Sequence, residues 1–289
     1  MNFTEWKNQV KYFNYKNHQI AYWEAGKGPT LLLIHGFPTS SWDWHKTWGE
    51  LTKRFRVIAP DMIGFGYSDK PKDYIYSITD QARLHEAFVD HLAVKEAHLL
   101  VHDYGVSVAQ EMLAAFSERG TAGFQILSCC FLNGGLFPEL HRARIIQKIL
   151  NSPFGAFFNR FVSKGSLRRS FHEIYGDKKA TEEEIEQFFQ LCQYNEGTKI
   201  THKLIKYIND RRANATRWKK AIVEATIPIK IINGPLDPVS GRHLADYCQE
   251  ILPNPDITIL EGVGHYPHDE APERVLEAYF AFYDSSSFI

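Results

Sequence analysis

Six short, almost purely apolar runs set the frame of this sequence. They are "TLLLI" (30–34), "RVIAP" (56–60), "AHLLV" (97–101), "FQILSCCF" (124–131), "IPIKIIN" (227–233) and "DITIL" (256–260). A strand that is apolar on both faces has to be covered on both faces. Helical patterns over 41–54, 77–94, 104–118, 240–251 and 270–284 supply the cover. Strands alternating with helices predict a mostly parallel α/β sheet between two helical layers. Ahead of them, "YFNYKNHQIAYWEAG" alternates polar and apolar residues around Lys16-Asn17 and predicts an antiparallel hairpin at the sheet edge.

Between Pro138 and Trp218 the rhythm breaks. No strand pattern appears, and the stretch reads as helical, with Thr181 and Glu184 spaced as a capping box. The expected organisation is a core of residues 1–137 and 219–289 with a helical cap, 138–218, inserted after the fourth apolar strand. Apolar residues make up 44% of the chain, enough for a sizeable core. A formal net charge of −1 argues against a nucleic-acid or membrane-surface role driven by bulk charge. No apolar stretch approaches the ~20 residues that span a bilayer. The N-terminus is polar and mixed, unlike a signal peptide. Cys129, Cys130, Cys192 and Cys248 lack metal-ligand spacing and read as reduced thiols of a cytoplasmic protein.

Ligands of open α/β sheets bind at the carboxyl ends of the strands. There this chain carries "HGFP" after 30–34, "HDYG" after 97–101, "GPLDP" after 227–233 and "GVGHYPHDEAP" after 256–260. In chain order these give Asp103 at a sharp strand-to-helix turn, then Asp237, then His265. That is the nucleophile–acid–histidine order of the α/β-hydrolase fold. Asp103 alone would serve equally as a helix N-cap, and Asp237 alone as a turn residue. The competing acid position, at the end of the preceding core strand, holds Asn133.

Taken together, the four motifs resemble the aspartate-nucleophile branch of the α/β-hydrolases, the epoxide hydrolases and haloalkane dehalogenases. The resemblance implies Asp103 as nucleophile, His265 as the base that activates water, and Asp237 as its orienting acid. It also implies an oxyanion hole from the backbone N–H groups of Phe37 and Tyr104, and a cis Phe37–Pro38 peptide. "KYINDRRANATRW" resembles the second tyrosine segment of epoxide hydrolases and puts Tyr207 forward as the acid for the ring oxygen. The first such tyrosine is Tyr175 or Tyr194. His35, Trp42 and His102 are further candidates for the substrate-binding wall or its support. The sequence departs from the branch at Tyr104, where epoxide hydrolases usually have Trp, and at Val101, where they usually have Gly.

The residue type carries its own logic. Serine attacking an epoxide or alkyl halide would leave an ether, which water activated by histidine does not readily cleave. Aspartate leaves an ester, which it does, so one hard displacement becomes two easier steps. The expectation is therefore a cofactor-free and metal-free hydrolase that converts a small apolar epoxide into a vicinal diol, as monomer or homodimer, without nucleic acid or membrane. The alternatives are a haloalkane dehalogenase or other hydrolase of the same fold, or a catalytically idle binding protein on it.

Overall fold

The computed structural model describes residues 1–286 apart from 121, 141 and 143. Its eight strands are β1 (Lys11–Tyr15), β2 (His18–Ala25), β3 (Thr30–Ile34), β4 (Arg56–Pro60), β5 (Glu96–Val101), β6 (Gln125–Phe131), β7 (Ile229–Asn233) and β8 (Asp256–Ile259). They form one sheet in the order β1-β2-β4-β3-β5-β6-β7-β8. The β1–β2 and β2–β4 pairings are antiparallel, and all others are parallel. Lys16 and Asn17 both take positive φ, 50° and 66°, the conformation a two-residue hairpin turn requires. This is the mostly parallel sheet that the strand pattern predicts, in the α/β-hydrolase fold that the motif order implies.

Alternation along the strands divides the core. Leu32, Ile34, Leu99, Val101, Cys129 and Ile231 pack on one face. Leu31, Leu33, Leu100, Cys130 and Ile232 pack on the other. Helices Ile78–His91, Tyr104–Arg119 and Ala215–Val223 lie together, with side chains in the first layer. Helices His45–Arg54 and Pro272–Ser285 pack against each other and supply the second. Between β6 and β7 the described residues form helices only, including Ile145–Asn151, Lys164–Ile174, Glu182–Gln193 and Tyr207–Ala213. Thr181 caps the third of these in the expected capping box with Glu184. No helix among the described residues is long and apolar enough to cross a membrane.

The short opening helix, Phe3–Asn8, is held by one side chain. Trp6 is fully buried, stacks on Trp23 and meets Trp42 and Trp48 edge-on. Edge-to-face and offset aromatic pairs add to the area term. Trp6→Ala empties the centre of this cluster and should cost about 3–5 kcal/mol, measured by urea unfolding. A loss below about 1 kcal/mol would mean that the site collapses around the missing ring.

Candidate active site

The turn after β5 is tight. Asp103 sits at φ 43°, ψ −102°, a conformation that side chains rarely adopt. Two glycines permit it. A Cβ on Gly105 would lie 2.4 Å from the Ile34 carbonyl oxygen, and one on Gly134 would lie 3.0 Å from the Asp103 Cα. The turn lifts the Asp103 carboxylate to the sheet's carboxyl edge, at the start of helix Tyr104–Arg119, whose first N–H groups have no intrahelical partner.

The other groups arrive from neighbouring strand ends. The loop after β3 holds a cis Phe37–Pro38 peptide and points the Phe37 N–H at Asp103 Oδ2, 3.0 Å away. From the loop after β8, His265 places Nε2 3.8 Å from Asp103 Oδ1. Its Nδ1 bonds Asp237 Oδ2 at 2.7 Å. The Asp237 carboxylate also accepts from the Ser240 hydroxyl, the Val239 N–H and the Asn133 amide. Asn133 therefore braces the acid that stands on the next strand.

Three buried charges then set one another. Burial opposes the charged form of His265, but Asp237 and then Asp103 outweigh it and hold the imidazolium up to about 9. Burial likewise pushes Asp237 up, and His265 together with the Ser240 and Val239 bonds brings it well below the carboxylate range. Asp103 is lowered in the same way, against burial, by His265 and by Arg211.

Arg211 is the group the sequence reading did not single out. It is fully buried. Its guanidinium donates to the Asp103 carbonyl oxygen (3.0 Å) and to Ser107 Oγ (2.6 Å), with a terminal nitrogen 3.7 Å from Asp103 Oδ1. It also lies over the Tyr207 ring, 4.4 Å from the centroid. Tyr207 and Arg211 are four apart on one helix and so share a face. That spacing in "YINDRRA" was the available signal. Glu270 was missed too. Its carboxylate accepts the N–H groups of Gly176, Gly264 and Tyr266 at 2.7, 2.8 and 2.9 Å. This ties the His265 loop to the helical insertion.

Above Asp103 and His265 opens a cavity of about 160 Å³, walled by Phe37, Leu150, Phe161, Leu167, Phe171 and Leu204 among others. An engineered apolar cavity of about that size holds benzene. Most of its wall comes from the insertion. Lys70 reaches its edge, and burial lowers that ammonium to about 8.

Several expected wall residues stand elsewhere. Trp42 does not reach the cavity, because the Ser41–Trp44 turn packs it on His45 and against Trp6. His35 lies beneath its loop, bonded through Nδ1 to Gly36 O and through Nε2 to the Met62 N–H; burial drives it down to about 4, so it stays neutral. His102 is buried below the elbow, with Nε2 on the His265 carbonyl, and burial drives it to about 3. The Tyr104 ring turns back onto Phe65 and Tyr207. Tyr175 stacks on Tyr266 and gives its hydroxyl to Asp269, 3.0 Å away. Tyr194 meets Tyr67 edge-on at the surface. Tyr207 alone of the three tyrosines stands next to Asp103. Its ring packs between Phe37 and Tyr104, one layer behind the cavity wall.

Two groups bring metal-ligand residue types together, Asp43/His102/His268 and His45/Glu184/Asp269, with ligand atoms within 4.8 Å. Lys46 already bonds Glu184 and Asp269 in the second. Neither group lines the cavity.

Residues 31–278 match the model of the alpha/beta hydrolase family. The chain belongs to that family. It is 37% identical over 292 residues to mesoderm-specific transcript protein of Mus musculus, spanning 97% of this chain and 87% of that protein. Its fold is similar to a haloalkane dehalogenase DbeA-M1 loop variant from Bradyrhizobium elkanii, with TM-score 0.80 and 21% identity over 96% of this chain and 98% of that one. It is also similar to the epoxide hydrolase CorEH, with TM-score 0.77 and 22% identity over 95% and 98%. As a hydrolase of this family the chain has its polar groups at the strand ends where the family's fold places a site.

The charge state of His265 gives a measurable signature. Its proton is held to about 9 in the folded chain, against an ordinary 6.5. The folded state then binds more protons than the unfolded chain across that window, so its stabilisation is complete below pH 6.5 and lost as pH rises through 9. The gap in Tm between the native protein and His265→Gln should therefore shrink between pH 6.5 and 9. A constant gap would mean a neutral imidazole in the folded state.

Proposed function

We propose that this protein hydrolyses an epoxide through a covalent ester on Asp103. The observation that carries the reading is the division of labour between the two oxygens of one buried carboxylate. Oδ2 already accepts the Phe37 N–H, the place of an oxyanion. Oδ1 faces His265 and is the oxygen left to attack. Attack forms a bond from Oδ1 to an epoxide carbon and breaks that carbon's bond to the ring oxygen. The resulting alkoxide needs a proton, and Tyr207, beside Asp103 but one layer behind the cavity wall, supplies it once the Phe37 side of the wall lets its hydroxyl through; burial and the Asp103 charge keep that hydroxyl protonated. Bulk solvent returns the proton through the site once product leaves.

Ester formation also prepares the second step. It removes the Asp103 charge, one of the anions that hold His265 protonated. His265 then loses its proton more readily and accepts one from water. That water attacks the Asp103 carboxyl carbon, with the developing charge on Oδ2 at the Phe37 and Tyr104 N–H groups. Collapse breaks the bond from the carboxyl carbon to Oδ1, the leaving alkoxide takes back the proton that His265 accepted from water, and the diol departs with Oδ1 as one hydroxyl oxygen. The helical insertion acts as the lid that keeps bulk water from this cavity.

The haloalkane reading is the weaker one. A leaving halide calls for N–H donors in the wall, and among the described residues no tryptophan lines the cavity. Of the candidates by position, Trp42 is buried against Phe3 and Trp6 of the opening helix and Trp44 against His268.

With a styrene-type epoxide, His265→Gln should accumulate protein heavier by one substrate mass, mapped to residues 99–110 by peptide mass spectrometry. Asp103→Asn should show no adduct. A single turnover of native protein in ¹⁸O-water should label the protein and leave the diol unlabelled. Label in the diol would make Asp103 a general base and end the ester mechanism.

Tyr207→Phe keeps the ring and removes the proton donor. It should slow epoxide opening by roughly 10²- to 10⁴-fold, read as single-turnover ester formation. Unchanged ester formation would remove Tyr207 from the mechanism.

A further inference from the structure

The net charge of −1 hides a steep local imbalance. From residue 140 to 172 the chain carries Arg142, Arg144, Lys148, Arg160, Lys164, Arg168 and Arg169, and no Asp or Glu. Arg144, Lys164 and Arg168 pair with Glu173, Glu186 and Glu182 of the same insertion. Arg142, Lys148, Arg160 and Arg169 are solvent-exposed.

The same segment exposes apolar bulk. Among the described residues, six of the eleven large exposed hydrophobics fall within 145–161: Ile145, Ile146, Phe154, Phe157, Phe158 and Phe161. Ile145 is 77% exposed and Phe154 70%. Phe157, Phe158 and Phe161 form one ring cluster with centroids 5.4–6.4 Å apart. The Arg160 guanidinium lies 4.3 Å from the Phe157 centroid. Contiguous exposed apolar surface of this kind marks a contact site.

Two features identify the contact. Exposed aromatic and aliphatic side chains interleaved with Lys and Arg are the composition of a surface that beds into anionic lipid headgroups. In addition, Ile146, Phe158 and Phe161 also line the cavity, so the exposed face continues inward as the wall above Asp103. We infer that residues 144–169, with Arg142, form an interfacial face that seats the mouth of the cavity on an anionic lipid bilayer, from which an apolar substrate enters without crossing water. That the face delivers substrate rests on the function proposed above; that it binds the bilayer does not.

Co-sedimentation with phosphatidylcholine vesicles, with and without phosphatidylserine, tests the face without any substrate. The native protein should sediment with the serine-containing vesicles and detach as salt rises. Phe154→Ser with Phe157→Ser should weaken binding at least about tenfold. Lys148→Ala with Arg160→Ala should weaken it roughly 25-fold, at about fivefold per cation. None of these four residues lines the cavity, and unfolding midpoints equal to the native one establish that the variants are folded. Failure of the native protein to sediment, sedimentation indifferent to phosphatidylserine, or binding unaffected by the Phe pair would each overturn the inference. So would light scattering that shows a native dimer split by the Phe pair, since the face would then join two copies of the chain. Vesicle binding by a protein that turns over no epoxide would sustain the face and overturn the proposed reaction.

Discussion

Burying two carboxylates beside one imidazole is the constraint on which this site depends. Each charge alone would be costly so far from water. Together they are affordable only while all three keep their places. Asp237 is fixed by three further donors, from Ser240, Val239 and Asn133. Asp103 is fixed by a strained backbone and by the Phe37 N–H. Arg211 adds a second cation, 3.7 Å from the same Asp103 Oδ1 that His265 approaches. The parallel sheet matters because it delivers these groups from separate strand ends to one edge. Residues 66 to 163 positions apart in sequence thereby meet within one layer of side chains.

How much of this was legible depended on the range of the interactions. Apolar runs such as "TLLLI" fixed strands because burial on both sheet faces acts locally along the chain. The Thr181 capping box was legible because both partners lie within one turn. The order Asp103, Asp237, His265 was legible because strand ends in this fold share one edge. Side-chain direction was not. Trp42 and Trp44 lie in the same short turn, and packing against Phe3 and Trp6, far off in sequence, together with stacking on His45 sets where the Trp42 ring goes. Tyr175 looked like a candidate acid by type, yet Asp269 claims its hydroxyl. Arg211 lay in a quoted segment and was overlooked, since a cation on a helix ordinarily faces water. The basic stretch 142–169 disappeared into a balanced total charge, which averages over surfaces that never face the same partner.

The Glu270 staple decides which parts of the molecule can yield. One carboxylate holds Gly176 of the insertion and Gly264 and Tyr266 of the histidine loop, while the His265 N–H donates to the Ile174 carbonyl. Lifting the insertion at residues 174–176 would drag His265 off Asp237. That margin is a fixed hinge. The short helices of 145–161 also meet the cavity, and among the described residues no hydrogen bond ties them to the histidine loop. A substrate entering past those helices, as proposed, would leave the bonds that align the imidazole untouched.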